Sequence, residues 1–345
     1  MLLNICIFSR AFHPAVGGLE RMAQILATQF SKAGHRVVVI TDKPSTAEDT
    51  FPFEVVRTSS YWQRTRSFAR ADVVLFMNVS LHGLVAAIFA GTPLIFSHQG
   101  IYQGAGILGH FLEWLKRQAC RFFGNICCSN FVATNIPALS TVIPNAFDDV
   151  LFKNEHADTR ARDFVFCGRL VSDKGADVCL RSFHQVLQHY PAATLSLIGE
   201  GPERDSLLSL TKGLRLSNSV EFLGSLLGRP LVDALKRHSC LVVPSLWQEP
   251  FGIVALEGIA CCDTVIVSKR GGLPEAIGPC GVAVEPTVEE LSAAMIQVMQ
   301  AKRKNLPLPG QVSQMVRNQH LAEHSASKVA FRYLSVLGSA VERSN

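Results

Sequence analysis

The chain has 345 residues, of which 48% are hydrophobic and 18% are charged, and this balance excludes an intrinsically disordered protein. A single hydrophobic core stops growing at roughly 250–300 residues, so the length predicts two domains. The formal net charge of +5 is too small to indicate a nucleic-acid-binding protein.

The cysteines and the apolar runs indicate the cellular compartment of the protein. The ten cysteines include no C-x-x-C pair, and several lie in apolar segments such as Phe164–Cys167. This favours reduced, buried thiols in a cytoplasmic protein over a disulfide or metal framework. The run Leu2–Phe8 is too short for a signal core and has no basic region before it. The apolar region Ala71–Ser97 is interrupted by polar residues and proline, so no membrane span is expected.

The first half of the chain alternates apolar runs with helical patterns. Strands are predicted at Leu2–Phe8, Arg36–Thr41, Phe53–Arg57, Asp72–Met77, Pro93–Ser97, Asn125–Cys128 and Ser140–Ile143. Helices fall between most of them, and the first, Leu19–Lys32, places Met22, Leu26 and Phe30 on one face before Gly34 ends it. Such alternation predicts a parallel sheet with helices on both faces.

The second half repeats the scheme. Strands are predicted at Phe164–Cys167, Thr194–Ile198, Val220–Phe222, Cys240–Val243, Thr264–Val267 and Val282–Val284. Helices are predicted at Ala176–Tyr190, Glu203–Thr211, Arg229–Arg237, Gly252–Ala260 and Val288–Ala301. A polar stretch then leads to a last helical pattern, Ala326–Ala340. The two halves predict two Rossmann-like α/β domains.

The stretch Val242–Glu257, VVPSLWQEPFGIVALE, is the strongest candidate for a binding site. It leads from the end of a strand into a helix, and ligands of doubly wound sheets bind at that end of the strands. The first amides of the helix, those of Phe251, Gly252 and Ile253, are expected to bind an anion, because they point out of the positive end of the helix dipole.

Two carboxylates flank this predicted helix start. Glu249 precedes the helix and Glu257 lies about two turns inside it, eight residues later. Such an arrangement suits a ligand with phosphate and many hydroxyl groups, such as a sugar nucleotide. Two solvated surface glutamates would give the same spacing, so the pattern alone leaves both interpretations open.

Other strand ends carry further candidates. Arg169 and Lys174 follow Phe164–Cys167 and could clamp a diphosphate, Arg in bidentate fashion and Lys as a point charge. Gly17 and Gly18 follow the first strand, where glycines let backbone approach a phosphate. His98 follows another strand. A solvated basic loop, a flexible turn and a structural histidine remain open as alternatives.

Five motifs in this order resemble those of glycosyltransferase family 4, over residues 1 to about 340. They are GGLER (Gly17–Arg21), GRLVSDKG (Gly168–Gly175), GEGPE (Gly199–Glu203), EPFGIVALE (Glu249–Glu257) and GGLPE (Gly271–Glu275). The resemblance implies a GT-B fold, two Rossmann-like domains facing across a cleft, with an acceptor-side domain at 1–147 and a nucleotide-sugar-binding domain at 148–325. It further implies that a C-terminal helix within 326–345 packs back on the N-terminal domain. The implied reaction is metal-independent transfer of a sugar from a nucleotide diphosphate sugar, with retention of anomeric configuration.

The resemblance also implies roles for single residues. Arg169 and Lys174 match the pair that neutralises the donor diphosphate. Glu257 would bind the ribose hydroxyls, and Glu249 would hold hydroxyls of the transferred sugar. The amides of Phe251, Gly252 and Ile253 would bind sugar or phosphate oxygens.

In the first domain, the family pattern assigns Gly17 and Gly18 to the diphosphate. It places His98 at the acceptor side, so Glu249, His98, Arg169 and Lys174 form the implied catalytic set. The nucleotide sugar would be a co-substrate, and no separate cofactor is expected.

The acceptor is expected to be a glycan or a lipid-linked molecule, bound by the N-terminal domain. From Thr58 to Arg121 there are six cations and two anions, with aromatic residues among them. The cations are Arg64, Arg66, Arg70, Lys116, Arg117 and Arg121, and the aromatic residues are Tyr61, Trp62, Phe68, Trp114, Phe122 and Phe123. A basic surface with aromatic residues can bind anionic lipids, and here it is expected to do so at the inner face of the cytoplasmic membrane. Ordinary amphipathic helices with solvated outer faces are the alternative.

Two other functions also fit these residues. A non-catalytic sugar-nucleotide-binding protein would keep Arg169, Lys174 and Glu257 without turnover, and a GT-B epimerase would act without an acceptor. A dehydrogenase is disfavoured, because no G-x-G-x-x-G motif follows the first strand.

Overall fold

The computed structural model describes residues 1–15, 17–45, 50–104, 106–153 and 160–344. The chain forms two compact units. The first comprises Met1–Ala146 and His324–Asn345, and the second comprises Phe147–Glu323. The C-terminal end of the chain therefore belongs to the unit that its first residues build.

The first unit contains a parallel sheet of seven strands within the described residues, in the order β3-β2-β1-β4-β5-β6-β7. The strands are β1 (Asn4–Phe8), β2 (Arg36–Thr41), β3 (Glu54–Arg57), β4 (Val73–Met77), β5 (Leu94–His98), β6 (Gly124–Cys127) and β7 (Thr141–Val142). Their central members are buried over nearly their whole length, as expected for a parallel sheet covered on both faces.

The second unit contains a parallel sheet of six strands within the same described ranges, in the order β10-β9-β8-β11-β12-β13. They are β8 (Arg162–Cys167), β9 (Leu195–Ile198), β10 (Val220–Gly224), β11 (His238–Val243), β12 (Thr264–Ser268) and β13 (Val282–Val284). The strand order reverses between β8 and β11, which is the switch point where α/β folds bind ligands.

Helices connect most of the strands. In the first unit they are α1 (Gly18–Lys32), α2 (Tyr61–Phe68), α3 (Leu81–Ala90), α4 (Gly106–Ala119) and α5 (Asn130–Thr134). In the second they are α6 (Ala176–His189), α7 (Arg204–Gly213), α8 (Arg229–Lys236), α9 (Ile253–Cys261), α10 (Leu273–Ile277), α11 (Val288–Arg303) and α12 (Gln314–Glu323). The last helix, α13 (Ala326–Glu342), returns to the first unit.

Each unit has its own hydrophobic core. In the first, α13 packs beside α1 on one face of the sheet, and Tyr333 is completely buried there. Its hydroxyl lies 2.8 Å from the Ser97 hydroxyl of β5, so the one polar atom of this ring has a partner. In the second unit, α6 and α11 cover one face of the sheet around Phe164 and Phe183.

The α/β class agrees with the sequence analysis. The observed strand ends differ from the predicted ones by up to two residues. The observed helix ends also differ by up to two residues from the predicted ones; α9, for example, begins at Ile253, and Gly252 precedes it as the N-cap. The sequence analysis contains no helix at α12.

Candidate functional site

Four of the predicted motifs lie at one edge of the second sheet. They follow β9, β8, β11 and β12, which are neighbours in that order. Because these strands are parallel, their carboxyl ends meet at the same edge. The structure thus brings together four segments that are far apart in the chain, and direct contacts join each to the next.

The loops after β8 and β9 are joined by backbone hydrogen bonds. The Leu170 N–H donates to the Glu200 carbonyl at 2.9 Å, and the Glu203 N–H donates to the Leu170 carbonyl at 3.1 Å. Gly199 has a φ of +144°, and a Cβ at this position would lie 1.8 Å from the Gly168 carbonyl oxygen. No side chain fits there, so the glycine is required by the close approach of the two loops.

The loops after β8 and β11 share one carbonyl. The N–H groups of Leu246 and Trp247 donate to the Asp173 carbonyl at 2.9 and 3.1 Å. Asp173 belongs to a single 3₁₀ turn, Ser172–Lys174, that leads into α6. These bonds hold the turn that carries Lys174 against the stretch that carries Glu249.

The loops after β11 and β12 are joined in the same way. The Gly272 N–H donates to the Glu249 carbonyl, and the Gly271 N–H donates to the Gln248 side-chain oxygen, both at 2.7 Å. Just beyond, Gly252 has a φ of +103°, and a Cβ there would lie 2.4 Å from Leu273 of α10. The backbone of this stretch is therefore fixed immediately before α9 begins.

A charged cluster lies at the centre of these loops. The Lys174 ammonium group donates to Oε1 of Glu249, and the Ser245 hydroxyl donates to the same oxygen at 2.8 Å. Ser245 is buried, and Lys174 and Glu249 are mostly shielded from solvent. Lysine has three N–H donors, so Lys174 can hold Glu249 and still bind an anion. Both described bonds to Glu249 use Oε1, which leaves Oε2 able to accept from a ligand hydroxyl.

The other predicted donor residues of the second unit lie on the same loops or on α9. Arg169 is exposed, directly after β8. Glu257 is buried on α9 and has a partner within the protein. Phe251 is buried, and Ile253 is the first residue of α9. The positive end of the α9 dipole therefore lies next to the stretch that holds Glu249.

Gly17 and Gly18 belong to the first unit. Gly18 is the first residue of α1 and Gly17 caps it, with the Gly17 carbonyl accepting from the Arg21 N–H at 3.0 Å. A Cβ on Gly17 would lie 2.4 Å from the Glu20 carboxylate. The glycines thus lie at the start of α1, one residue earlier than the predicted helix start at Leu19, while Val16 lies outside the described residues.

His98 lies one residue inside the strand that the sequence predicts to end at Ser97. It ends β5, is fully buried, and has partners on both ring nitrogens. Nε2 lies 2.9 Å from Oδ1 of Asn125, whose amide group donates to the carbonyls of Cys120 and Phe123. These two bonds fix the orientation of the amide, so Oδ1 accepts and Nε2 carries the hydrogen.

The other nitrogen of His98 completes the assignment of its tautomer. Nδ1 lies 2.7 Å from the Tyr102 hydroxyl, and that oxygen accepts from the Val79 N–H at 2.9 Å. The Tyr102 O–H is then free to donate to Nδ1. Burial lowers the pKa of His98 to about 4, so the ring is neutral at physiological pH. A ring bonded on both sides positions the Tyr102 loop and cannot exchange a proton with an acceptor while these bonds last.

Sequence reasoning missed the residues that hold the predicted ones. Ser245 and Gln248 fix Glu249 and the glycine turn, and Tyr102 and Asn125 fix His98. The Ser245 to Glu249 spacing of four residues gave no signal, because it lies outside a helix, where residues four apart need not face each other.

The predicted basic and aromatic surface of the first unit needs a correction. Arg64 is buried and pairs with Asp42 at 2.6 Å, and Phe68 is completely buried between Phe8 and Phe76. The aromatic residues Trp62, Trp114 and Phe122 are exposed, as are Arg66, Arg70 and Arg121. None of the helices in the described part of the chain is long and apolar enough to span a membrane.

Two family models match the chain. The model of the family described as glycosyl transferases group 1 matches residues 131–312, and that of glycosyltransferase family 4 matches residues 16–150. Glycogen synthase of Mycobacterium tuberculosis is 28% identical over 86% of this chain and 86% of its own length. One subunit of human phosphatidylinositol N-acetylglucosaminyltransferase is 24% identical over 98% of this chain and 77% of its own.

Solved structures share the fold. Anabaena HepE in complex with UDP-glucose gives a TM-score of 0.79 at 19% identity, covering 98% of this chain and 100% of that one. A glycosyltransferase from Rickettsia africae gives 0.81 at 16% identity, covering 99% of both chains. These likenesses confirm the GT-B fold that the motifs predict.

Proposed function

Because the chain belongs to the family of glycosyl transferases group 1, we propose that it transfers a sugar from a nucleotide diphosphate sugar to a glycan or lipid-linked acceptor, with retention of configuration. That it is a glycosyltransferase follows from the family. The donor chemistry, the stereochemical course and the acceptor are the content of the proposal.

One observation carries the donor assignment. Lys174, Glu249 and Ser245 form a fixed cluster at the strand-order reversal of the second sheet, beside the start of α9. A diphosphate needs cations and N–H donors, and a sugar needs carboxylate acceptors. The cluster offers both within one bonded group, so Lys174 can bind the phosphate while the Glu249 carboxylate binds a sugar hydroxyl.

The chemistry uses these groups to stabilise the leaving group. As the bond from the sugar to the diphosphate breaks, negative charge grows on the phosphate. Fixed donors aimed at that charge lower the barrier by about 3–4 kcal/mol each. Arg169 and Lys174 supply this stabilisation in the proposal, and the amides of Phe251, Gly252 and Ile253 add the dipole of α9.

The proposed stereochemical course, retention of configuration, rests on the family resemblance. Glu249 is assigned to binding a sugar hydroxyl, since Lys174 and Ser245 fix its Oε1 and Oε2 can accept from the ligand. Without a covalent nucleophile, retention takes a front-face reaction, in which the acceptor approaches from the side on which the leaving group departs. Glu257 binds the ribose, and Gly17 and Gly18 contact the diphosphate in this proposal.

The proposed reaction takes place in the cytoplasm without a metal. All ten cysteines are free thiols and nine are buried, which fits a reducing compartment. Arg169 and Lys174 replace the metal as the positive charge on the diphosphate. Activity is therefore expected to be unchanged by EDTA, and a loss restored by Mg²⁺ or Mn²⁺ would contradict this part of the proposal.

The donor can be tested directly. The name of the human phosphatidylinositol N-acetylglucosaminyltransferase and the UDP-glucose bound to HepE make UDP-sugars the first choice. In thermal-shift screening against UDP-, GDP- and ADP-sugars, only the sugars of one nucleotide base should raise the Tm of the protein. Mass analysis of the products, with lipid-linked and oligosaccharide acceptors, then distinguishes the outcomes. Transfer to an acceptor supports the proposal, whereas binding without turnover or sugar interconversion without acceptor overturns it.

A further inference from the structure

Helices α2, α3 and α4 lie on one face of the first sheet. They connect β3 to β4, β4 to β5 and β5 to β6, and all three connections step in the same direction along the sheet. Right-handed crossovers then place all three helices on the same face, opposite α1, whose connection steps the other way. The packing agrees, because Gly83 of α3 lies against Phe8 and Phe76, while α1 and α13 pack on the side of Ile7 and Leu75.

Helix α4 exposes its apolar side chains instead of burying them. Ala119 is its one buried residue among those the structure describes. Ile107 is 94% exposed, Leu108 70%, Phe111 53% and Trp114 54%. Residues 107, 111 and 114 follow the helical spacing of four and three, so they form one stripe. The Phe111 and Trp114 rings stack with their centroids 6.0 Å apart, so these two residues of the stripe form one apolar surface.

Helices α2 and α3, on the same face of the sheet, carry further exposed apolar side chains. The rings of Tyr61 on α2 and Phe89 on α3 are in contact, with their centroids 6.4 Å apart, and this contact links the two helices. The exposed large apolar side chains of α2 to α4 and the following turn are Trp62, Val85, Ile88, Phe89, Ile107, Leu108, Phe111, Leu112, Trp114 and Phe122. We call these ten residues the outer face. They make up more than half of the exposed large apolar side chains of the described residues, a concentration that marks an interaction surface.

The charges around the outer face are positive. Arg66 on α2, Arg70 just after α2 and Arg121 just after α4 are exposed. Residues 58–123 contain six cations and two acids, and one of these acids, Glu113, pairs with Arg117 at 3.8 Å. The helices that carry the outer face therefore have an excess of positive charge, which attracts anions.

The positive charge distinguishes two possible partners of the outer face, a second copy of the chain and an anionic lipid surface. A second copy of the chain, docked face to face about a twofold axis, would bring two surfaces of the same positive charge together. An anionic lipid surface supplies the opposite charge together with an apolar interior. Tryptophan and arginine are suited to that boundary, because each has an apolar body and a polar end.

We propose that the outer face binds a membrane surface containing anionic lipids, with the stripe of α4 inserted among the acyl chains by about 5–10 Å. The inference rests on the proposed function only in that a lipid-linked acceptor would be presented at such a surface. Binding itself requires neither donor nor acceptor, so it can be measured separately from the reaction.

The test is co-sedimentation of the full chain with vesicles of phosphatidylcholine alone or with about a third phosphatidylglycerol. The wild type should bind the anionic vesicles and not the neutral ones. The double variant Ile107→Ser/Phe111→Ser should bind at least about tenfold more weakly, since two apolar side chains no longer insert. Arg121→Glu should weaken binding about fivefold or more at low salt.

A matched control is Phe331→Ser, because Phe331 is 69% exposed on α13, on the opposite face of the first sheet. It should bind vesicles like the wild type. All variants alter exposed residues, and unchanged Tm values with an unchanged Tm rise on adding the nucleotide sugar identify them as folded and donor-competent. That last measurement reports on the proposed function independently of the membrane.

Three results would overturn the proposal. The first is equal binding of the wild type and the double variant to anionic vesicles. The second is negligible binding by the wild type. The third is a dimer of the wild type, seen by sedimentation velocity without lipid, that the double variant abolishes, since the occupant would then be a second copy.

Discussion

Lys174 is the residue whose removal should cost the most activity, because its ammonium group fixes Glu249 and, in the proposed function, binds the donor phosphate. We expect Lys174→Ala to lower kcat/KM at least about 100-fold, the range observed for loss of one donor to a developing negative charge. Steady-state kinetics with the identified donor measures this. A matched control is Lys212→Ala, which removes an exposed lysine from the last turn of α7. Activity of Lys174→Ala within about threefold of wild type would remove Lys174 from the mechanism.

Ser245 tests the positioning of Glu249. Ser245→Ala removes one of the two bonds to Oε1 and leaves the ion pair with Lys174. The loss of one hydrogen bond to a charged group, about 1.5–3 kcal/mol, predicts a fall in kcat/KM of about tenfold or more. Ser245→Thr keeps the hydroxyl and should recover part of the activity. An alanine variant with wild-type kinetics and unchanged Tm would show that the lysine alone positions the carboxylate.

At the residue scale, the sequence predicts which residues come together better than it predicts the hydrogen bonds that hold them. Lys174 and Glu249 are 75 positions apart in the chain, yet motif order placed both in one site and the structure joins them. The bonds from Ser245 and the burial of His98 were not predicted. Both depend on which way a side chain turns after a strand ends, and hydrophobic periodicity carries no information on this.

At the scale of elements, Gly199 joins the loops after β8 and β9. Gly199→Ala would place its Cβ 1.8 Å from the Gly168 carbonyl, at a φ that alanine rarely adopts. We expect the variant to lose several kcal/mol of unfolding free energy, or to fold with the two loops displaced and with nucleotide-sugar binding lost. Urea unfolding and donor-induced thermal shifts measure the two effects.

The control for this substitution is Gly338→Ala. Gly338 lies inside α13, and nothing is within 4 Å of a Cβ built there. The same chemical change should raise the unfolding free energy by about 0.5–1 kcal/mol, because alanine favours a helix. Equal effects of the two variants would show that the approach of the two loops does not require glycine.

The elements also show why one helix escaped prediction. The strands were recognisable because a parallel sheet buries both faces and so gives continuous apolar runs. Helix α12 buries Leu321 and Arg317 among its described residues, and Arg317 binds the carbonyls of Cys262 and Asp263. An element that docks through an arginine and backbone carbonyls leaves no apolar stripe in the sequence.

At the scale of the whole molecule, two buried histidines link stability to pH. Burial lowers the pKa of His98 and of His238 to about 4, against about 6.5 in the unfolded chain. The unfolded chain therefore binds more protons between these values. The stabilising contribution is complete above about pH 6.5 and is lost as pH falls toward 4, by on the order of 1.4 kcal/mol for each unit of pKa difference.

Urea unfolding between pH 7 and pH 4.5 measures this linkage. The unfolding free energy of His98→Gln and of His238→Gln should fall less steeply with acidification than that of the wild type. The exposed His82 provides the control variant His82→Gln, which should follow the wild-type slope. Identical slopes for all four proteins would mean that neither buried ring is neutral in the native state.

The return of α13 to the first unit affects how the protein is made on the ribosome. Tyr333 and Leu337 complete a core whose other members, such as Met22 and Leu75, are translated first. The whole second unit, Phe147–Glu323, must emerge in between, which takes roughly 10–35 s at 5–20 residues per second. During that interval the nascent chain presents an uncovered apolar surface to chaperones, so a premature stop anywhere before Ala326 leaves an aggregation-prone product even when every donor-site residue has been translated.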